Sequence, residues 1–115
     1  DRASADAGSI GAANTLRLRA GKWEAFNTDW QAAVGAIADA MRGAMDTPGA
    51  RPLRGRRVLV LGAGGAARGI VYGLAREGAQ VAVTGRTAAR ARKLAAGLGA
   101  DCIAWEERAD ADWDV

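Results

Sequence analysis

The 115-residue chain has no histidine and a single cysteine, Cys102. Without an imidazole there is no Ser-His or Cys-His nucleophile, and with one thiol the usual zinc ligand sets are excluded. No metal site is expected. One cysteine also excludes an internal disulfide framework and fits a reducing compartment, the cytoplasm. No apolar run approaches the roughly 18 residues that suggest a membrane span, and Asp1–Asp6 lacks the apolar stretch of a signal peptide. Charge of one sign is scarce too: Lys and Arg total 16 against 13 Asp and Glu, a net charge of +3. The densest cations, Arg51, Arg54, Arg56 and Arg57, precede an apolar run and read as solvated surface rather than a nucleic-acid patch. Neither nucleic acid nor membrane is an expected partner.

What is present is an α/β pattern built around Arg57–Arg68. Val58, Leu59, Val60 and Leu61 suit a strand buried on both faces of a parallel sheet. Gly62, Ala63, Gly64, Gly65 and Ala66 follow, and a helical pattern opens directly. A strand running through glycines into a helix N-terminus presents free N–H groups and a dipole that favours phosphate. Gly62 allows the tight turn, Gly64 a close approach to a pyrophosphate, and Ala67 the packing of helix on strand. The plainer alternative is a glycine-rich connection between a strand and a helix.

Taken in order, residues 1–9 are small and polar and read as loop. Leu16 and Leu18 alternate with Arg17 and Arg19 as in a half-buried strand, and Ala20-Gly21 turns the chain into a returning strand over 22–26. The hairpin has Asn14 near its start and Asn27 at its end. A helix capped by Asn27 or Thr28 follows, with Asp29 in its first turn and Trp30, Val34, Ile37, Met41 and Met45 along one face. Both prolines lie in 46–55, the expected linker between a substrate-side remnant over 1–45 and a dinucleotide-binding unit over 56–115. In the latter, a helix from about Gly65 to Glu77 ends at Gly78. A strand over 80–84, a helix from Thr87 to about Leu98, a strand over 101–105 and the start of a fourth at Trp113 complete a β-α-β-α-β unit. Such units build a Rossmann-like parallel sheet with flanking helices on both faces. A strand beginning at Val115 suggests a piece of a longer chain.

In NAD-binding units an acidic residue about 20 positions after the glycines takes the ribose hydroxyls. Here no Asp or Glu occurs between Gln80 and Gly99. Arg86 closes the second strand, Thr87 follows it, and Arg90 lies on the first helical turn. Two guanidiniums and no carboxylate suit a 2′-phosphate, so the expected cofactor is NADP. The bland reading, a solvated basic helix face, fits Arg92 and Lys93 better than Arg86.

Gly11-Ala-Ala-Asn-Thr15, Asn27-Thr-Asp29, Gly62–Ala66 and Arg86-Thr87 resemble, in order and spacing, the shikimate dehydrogenase family. That family includes quinate/shikimate dehydrogenases and the dehydrogenase half of bifunctional dehydroquinate dehydratase–shikimate dehydrogenases. The resemblance implies reversible reduction of 3-dehydroshikimate to shikimate with NADPH, on the route to chorismate and the aromatic amino acids. It implies that Asn14 binds substrate hydroxyls and that Asp29 binds substrate and belongs to a Lys–Asp catalytic pair. Spacing alone leaves Asp29 as a helix N-terminal acid. It further implies that Gly62, Ala63, Gly64, Gly65 and Ala66 bind the pyrophosphate, and that Arg86, Thr87 and Arg90 clamp the 2′-phosphate. A quinate or related polyol-acid dehydrogenase and a non-catalytic NADP-binding sensor or scaffold are the alternatives.

The chain departs from the family pattern in places. The family's catalytic lysine precedes the hairpin, and neither Lys22 nor Lys93 stands in its position. Trp30 stands where the family has a small residue and is expected to crowd the start of the helix, and Gly85 replaces an asparagine, weakening one adenosine contact. These 115 residues alone, without the remainder of a parent enzyme, are not expected to turn over shikimate.

Overall fold

The computed structural model describes residues 1–44 and 51–115. The chain forms β1 (Arg2–Ala3), α1 (Ala5–Ile10), β2 (Thr15–Arg19), β3 (Lys22–Phe26) and α2 (Asp29–Gly43) in its first part. It continues with β4 (Arg57–Leu61), α3 (Gly65–Arg76), β5 (Gln80–Thr84), α4 (Ala88–Leu98), β6 (Asp101–Cys102) and a 3₁₀ turn over Trp105–Ala109. Strands pair as two sheets, β1-β3-β2 and β4-β5-β6.

The first sheet starts where a loop was expected. The Ser4 hydroxyl accepts from the Ala7 N–H and caps α1, and Gly11 closes it at φ +69° in the left-handed region. Ala7 and Ile10 are buried. A six-residue helix is too short for its apolar residues to repeat, which is why a periodic reading passes over it. β2 and β3 form the expected antiparallel hairpin in register Leu16↔Ala25 and Leu18↔Trp23. Its turn is made by Ala20 at φ 49° and Gly21 at φ 74°, the primed geometry that matches strand twist. The alternation is correct but the leucines point outward, with Leu16 66% and Leu18 57% exposed. The opposite face holds buried Glu24 between Arg17 and Arg2. Hydrogen bonds from Arg17, then from Arg2, hold the Glu24 carboxyl below its ordinary pKa.

In the second sheet all pairings are parallel, with Val58↔Val81 and Val60↔Val83 in register. These four valines join Leu53, Ala67, Val71 and Leu74, and Ala91, Leu94 and Ala95 of α4, in one core. Both helices therefore cover the same face. Sheet order β4-β5-β6 advances in one direction, and right-handed crossovers in one direction leave their helices on one side. On the other face Leu59 is half-buried and Leu61 is 61% exposed, so burial of β4 on both faces is not observed among the described residues. The expected fourth strand is not formed among the described residues, and residues 113–115 run as irregular chain along the far edge of β4. Asp114 N donates to Arg57 O at 2.8 Å and Leu59 N to Val115 O at 3.0 Å. Its position opposite β5 is the place where a doubly wound sheet reverses direction.

Two further differences are local. β6 ends at Cys102 rather than Trp105, because the Glu107 carboxylate accepts from Ala104 N at 3.3 Å and the chain coils into the 3₁₀ turn. The expected linker and Met45 fall largely on 45–50, outside the described residues; Leu53, within that linker, is buried in the core.

α3 joins the two parts, and its faces divide the work. Ala67, Val71 and Leu74 face the sheet. Gly69 and Gly73 face α2: a Cβ on Gly73 would fall 2.7 Å from both Trp30 Cε3 and Val34 Cγ2. Arg68, Tyr72 and Arg76 form a third stripe toward α1. The Tyr72 hydroxyl donates to Asp6 at 2.6 Å and accepts from Arg76 at 2.9 Å, while the Tyr72 ring meets Trp30 edge-on at 5.6 Å. Trp30 does not crowd the start of α2, because glycine across the helix pair leaves room for the indole.

Candidate functional site

The phosphate turn has the predicted strand–glycine–helix form. Gly62 adopts φ +126°, which only glycine holds without strain. Its N–H donates to Thr84 O at 2.8 Å, fixing the end of β4 against the end of β5. Gly64 is the residue before α3, and Gly65 and Ala66 are its first two. A Cβ at Gly62, Gly64 or Gly65 would meet no atom within 4 Å. The glycines are thus not demanded by packing within the chain: the space above the turn is open.

That space is a cavity of about 180 Å³ lined by Gly62, Ala63, Gly64, Gly85, Arg86, Thr87 and Arg90. It brings together Gly62, Ala63, Gly64, Arg86, Thr87 and Arg90 of the residues singled out in the sequence; Gly65 and Ala66 lie just behind it in the first turn of α3. Thr87 occupies the N-cap position of α4 without a side-chain cap bond, so its hydroxyl is not committed to the helix. Arg86 and Arg90 are exposed, and among the described residues neither is held in an ion pair. Among the described residues, no acidic one lines the cavity. Cationic forks and open backbone N–H groups around a carboxylate-free hollow suit a phosphorylated ligand. On its other side Arg86 borders a second hollow of about 280 Å³ with Arg92, Cys102, Trp105 and Glu106.

The substrate-side residues form a separate group. Asn14 Oδ1 accepts from Thr28 N at 3.1 Å and from Thr15 Oγ1 at 2.9 Å, and Asn14 Nδ2 donates to Thr28 Oγ1 at 3.2 Å. Asn14 thereby holds the N–H of Thr28, the N-cap residue of α2, whose own side chain makes no cap bond, and this contact stands one residue from Asp29. Asp29 is exposed in the first turn of α2. Asn27 is buried and donates from Nδ2 to Ala12 O at 3.2 Å. Asn14 and Asp29 line no part of the phosphate cavity.

A residue passed over in the sequence connects the two groups. Arg68, in the first turn of α3, donates from Nε to Ile10 O at 2.7 Å. The available signal was the pair Gly69-x-x-x-Gly73, whose small residues mark a face where another backbone comes close.

A family model described as shikimate / quinate 5-dehydrogenase matches residues 47–110. The chain belongs to this family. Within it, the chain is 49% identical over 87 residues to the shikimate dehydrogenase (NADP(+)) of Methanocella arvoryzae, covering 76% of this chain and 28% of that protein. It is 47% identical over 92 residues to the shikimate dehydrogenase (NADP(+)) of Ignicoccus hospitalis, covering 80% and 31%. The crystal structure of the Thermus thermophilus shikimate 5-dehydrogenase in complex with NADP(H) and shikimate superposes with a TM-score of 0.76 at 36% identity. That match covers 96% of this chain and 38% of the other. This member of the shikimate / quinate 5-dehydrogenase family therefore spans about 30% of the length of the curated relatives it matches. None of its described helices is long and apolar enough to cross a membrane.

Proposed function

We propose that this chain is the NADP-binding part, with adjoining substrate-side elements, of a shikimate dehydrogenase. The activity is reversible hydride transfer between NADPH and 3-dehydroshikimate, a small-molecule substrate. Residues 1–45 are the substrate-lobe remnant, 46–55 the linker and 56–115 the cofactor unit, and the remainder of the parent enzyme is the necessary partner. The cytoplasm is its place, in keeping with its lone cysteine.

The observation that carries the reading is the carboxylate-free cavity between Gly62–Gly64 and Arg86, Thr87 and Arg90. Gly62–Ala66 bind the pyrophosphate, and Arg86, Thr87 and Arg90 the 2′-phosphate. NADP, when bound, supplies or accepts the hydride. Asn14 and Asp29 face the substrate, where Asp29 accepts a hydroxyl bond and holds the charge of a lysine contributed by the parent enzyme. Trp30, occupied against Gly73, supports shikimate over a quinate pocket reshaped by that indole.

Calorimetric titration of the full-length enzyme carrying this segment tests the reading. Arg86→Ala should weaken NADP by about ten- to a hundred-fold, the weight of a charge-assisted contact, and leave NAD unchanged. Equal losses for both cofactors refute the clamp. NADP binding with no turnover of shikimate or quinate identifies a sensor instead.

A further inference from the structure

We propose that Arg68 is a positioning residue that holds the substrate-side segment 10–14 in register with the cofactor turn. The proposal rests on the shikimate dehydrogenase reading for its kinetic consequence but not for its mechanical one.

Arg68 is the fourth residue of α3, and its own N–H donates to Gly64 O at 3.1 Å. Its backbone thus makes the first helical bond of α3, back to the last residue before that helix. Its side chain crosses to another part of the molecule, 58 residues away in sequence, and donates from Nε to Ile10 O at 2.7 Å. Ile10 is fully buried, so the accepting carbonyl is attached to a fixed point.

The residue that follows is shaped for this guanidinium. A Cβ on Gly11 would fall 2.7 Å from Arg68 Nη2. Gly11 also sits at φ +69°, so the backbone asks for glycine there and the missing side chain leaves the guanidinium its room. Among the described residues Arg68 makes no ion pair; the backbone carbonyl is its partner. A planar fork with fixed donor directions suits such a role better than a flexible ammonium.

Segment 10–14 is thus held from both sides. Arg68 grips Ile10 from the cofactor side, and Asn27 grips Ala12 from the α2 side at 3.2 Å. The neighbour of Arg68 in α3 lies close to the second grip: a Cβ on Gly69 would meet Asn27 Oδ1 at 3.4 Å. Beyond them Asn14 holds the Thr28 N–H at the start of α2, beside Asp29. Arg68 therefore lies on a continuous path of contacts from the phosphate turn to Asn14.

The test compares Arg68→Met and Arg68→Lys with the parent in the full-length enzyme, by hydrogen–deuterium exchange and steady-state kinetics. Arg68→Met should speed amide exchange over residues 10–15 by about tenfold, the weight of one charge-assisted hydrogen bond, with exchange inside α3 unchanged. It should raise KM for shikimate by about the same factor and leave KM for NADP within about twofold. Arg68→Lys, which keeps the charge and loses the fork, should fall between the two. Unchanged exchange over 10–15 overturns the proposal, as does a rise in KM for NADP alone, which would make Arg68 a direct phosphate ligand. If the parent enzyme turns over no shikimate, the functional reading fails and the exchange experiment still decides the role of Arg68.

Discussion

The same substitution, glycine to alanine inside a helix, should have opposite signs at two positions of this chain. Gly35 in α2 is exposed, and a Cβ there meets nothing within 4 Å. Gly35→Ala should stabilise by about 0.5–1 kcal/mol, because alanine loses less backbone freedom on folding. At Gly73 the new methyl would lie 2.7 Å from Trp30 Cε3 and 2.7 Å from Val34 Cγ2. Neither neighbour is the loose end of a flexible chain: Val34 is buried, and the Trp30 ring is held against Tyr72. Overpacking of this kind costs about 1–3 kcal/mol. Set against the same propensity gain, the net loss at Gly73→Ala is centred on about 1 kcal/mol and reaches about 2.5 kcal/mol. Urea unfolding followed by tryptophan fluorescence reads both changes as shifts in midpoint at constant slope. The cause can be isolated by a double-mutant cycle with Trp30→Ala, which removes one of the two clashes. The cycle should show a favourable coupling of about 1 kcal/mol. If Gly73→Ala stabilises as much as Gly35→Ala, or if the cycle closes to zero, α2 does not rest on α3 through this contact.

Three other outcomes follow from single sites. Glu24 has its pKa lowered by Arg17 and Arg2, so its contribution is present above the unfolded carboxylate pKa and is lost as pH falls through the folded value. The stability gap between the parent and Glu24→Gln, measured by unfolding from neutral pH to about pH 3, should shrink toward the acid end; a gap independent of pH contradicts the assignment. At the phosphate turn, Gly62→Ala should cost about 1–3 kcal/mol from its backbone angle alone. Gly64→Ala, at φ −89°, should leave the unfolding midpoint nearly unchanged and lower NADP affinity, measured by calorimetry. In the full-length enzyme, Asp29→Asn should reduce kcat by about a hundred-fold or more, within the usual range for a charged group at a proton-transfer centre; intact turnover removes Asp29 from the catalytic pair.

The elements legible in the sequence were those whose signal is local. Val58–Leu61 with three glycines after it, and Gln80–Thr84 before Arg86, form the strands and turn expected of them. The misreadings arose where a partner distant in sequence decides the outcome. Leu16 and Leu18 alternate as a strand should, yet alternation cannot say which face is covered, and the buried residue of the hairpin is Glu24, paired with two exposed arginines. α1 depends on a serine cap and on the burial of two residues rather than on any repeat. β6 gives way early because a carboxylate three residues on captures the Ala104 N–H.

The least legible feature was the polar stripe of α3. Arg68, Tyr72 and Arg76 at intervals of four carry no signal of their own, since polar residues with this spacing usually face water. In the fold each of them reaches toward α1 instead, to Ile10 O, to Asp6, and to Tyr72 with Asp6. Helices that approach across Gly69 and Gly73 bring the flanking residues of α3 within reach of the neighbouring elements. Long polar side chains beside a close helix contact can then bridge to carbonyls and acids that the core does not satisfy. The glycine pair is therefore the sequence feature from which the arginines should be read. Small residues at i and i+4 announce a close approach, and polar residues one position before each glycine are then candidates for contacts across it. Applied to α3, that rule selects Arg68 and Tyr72, and these are the residues through which the phosphate-turn helix holds the substrate-side elements.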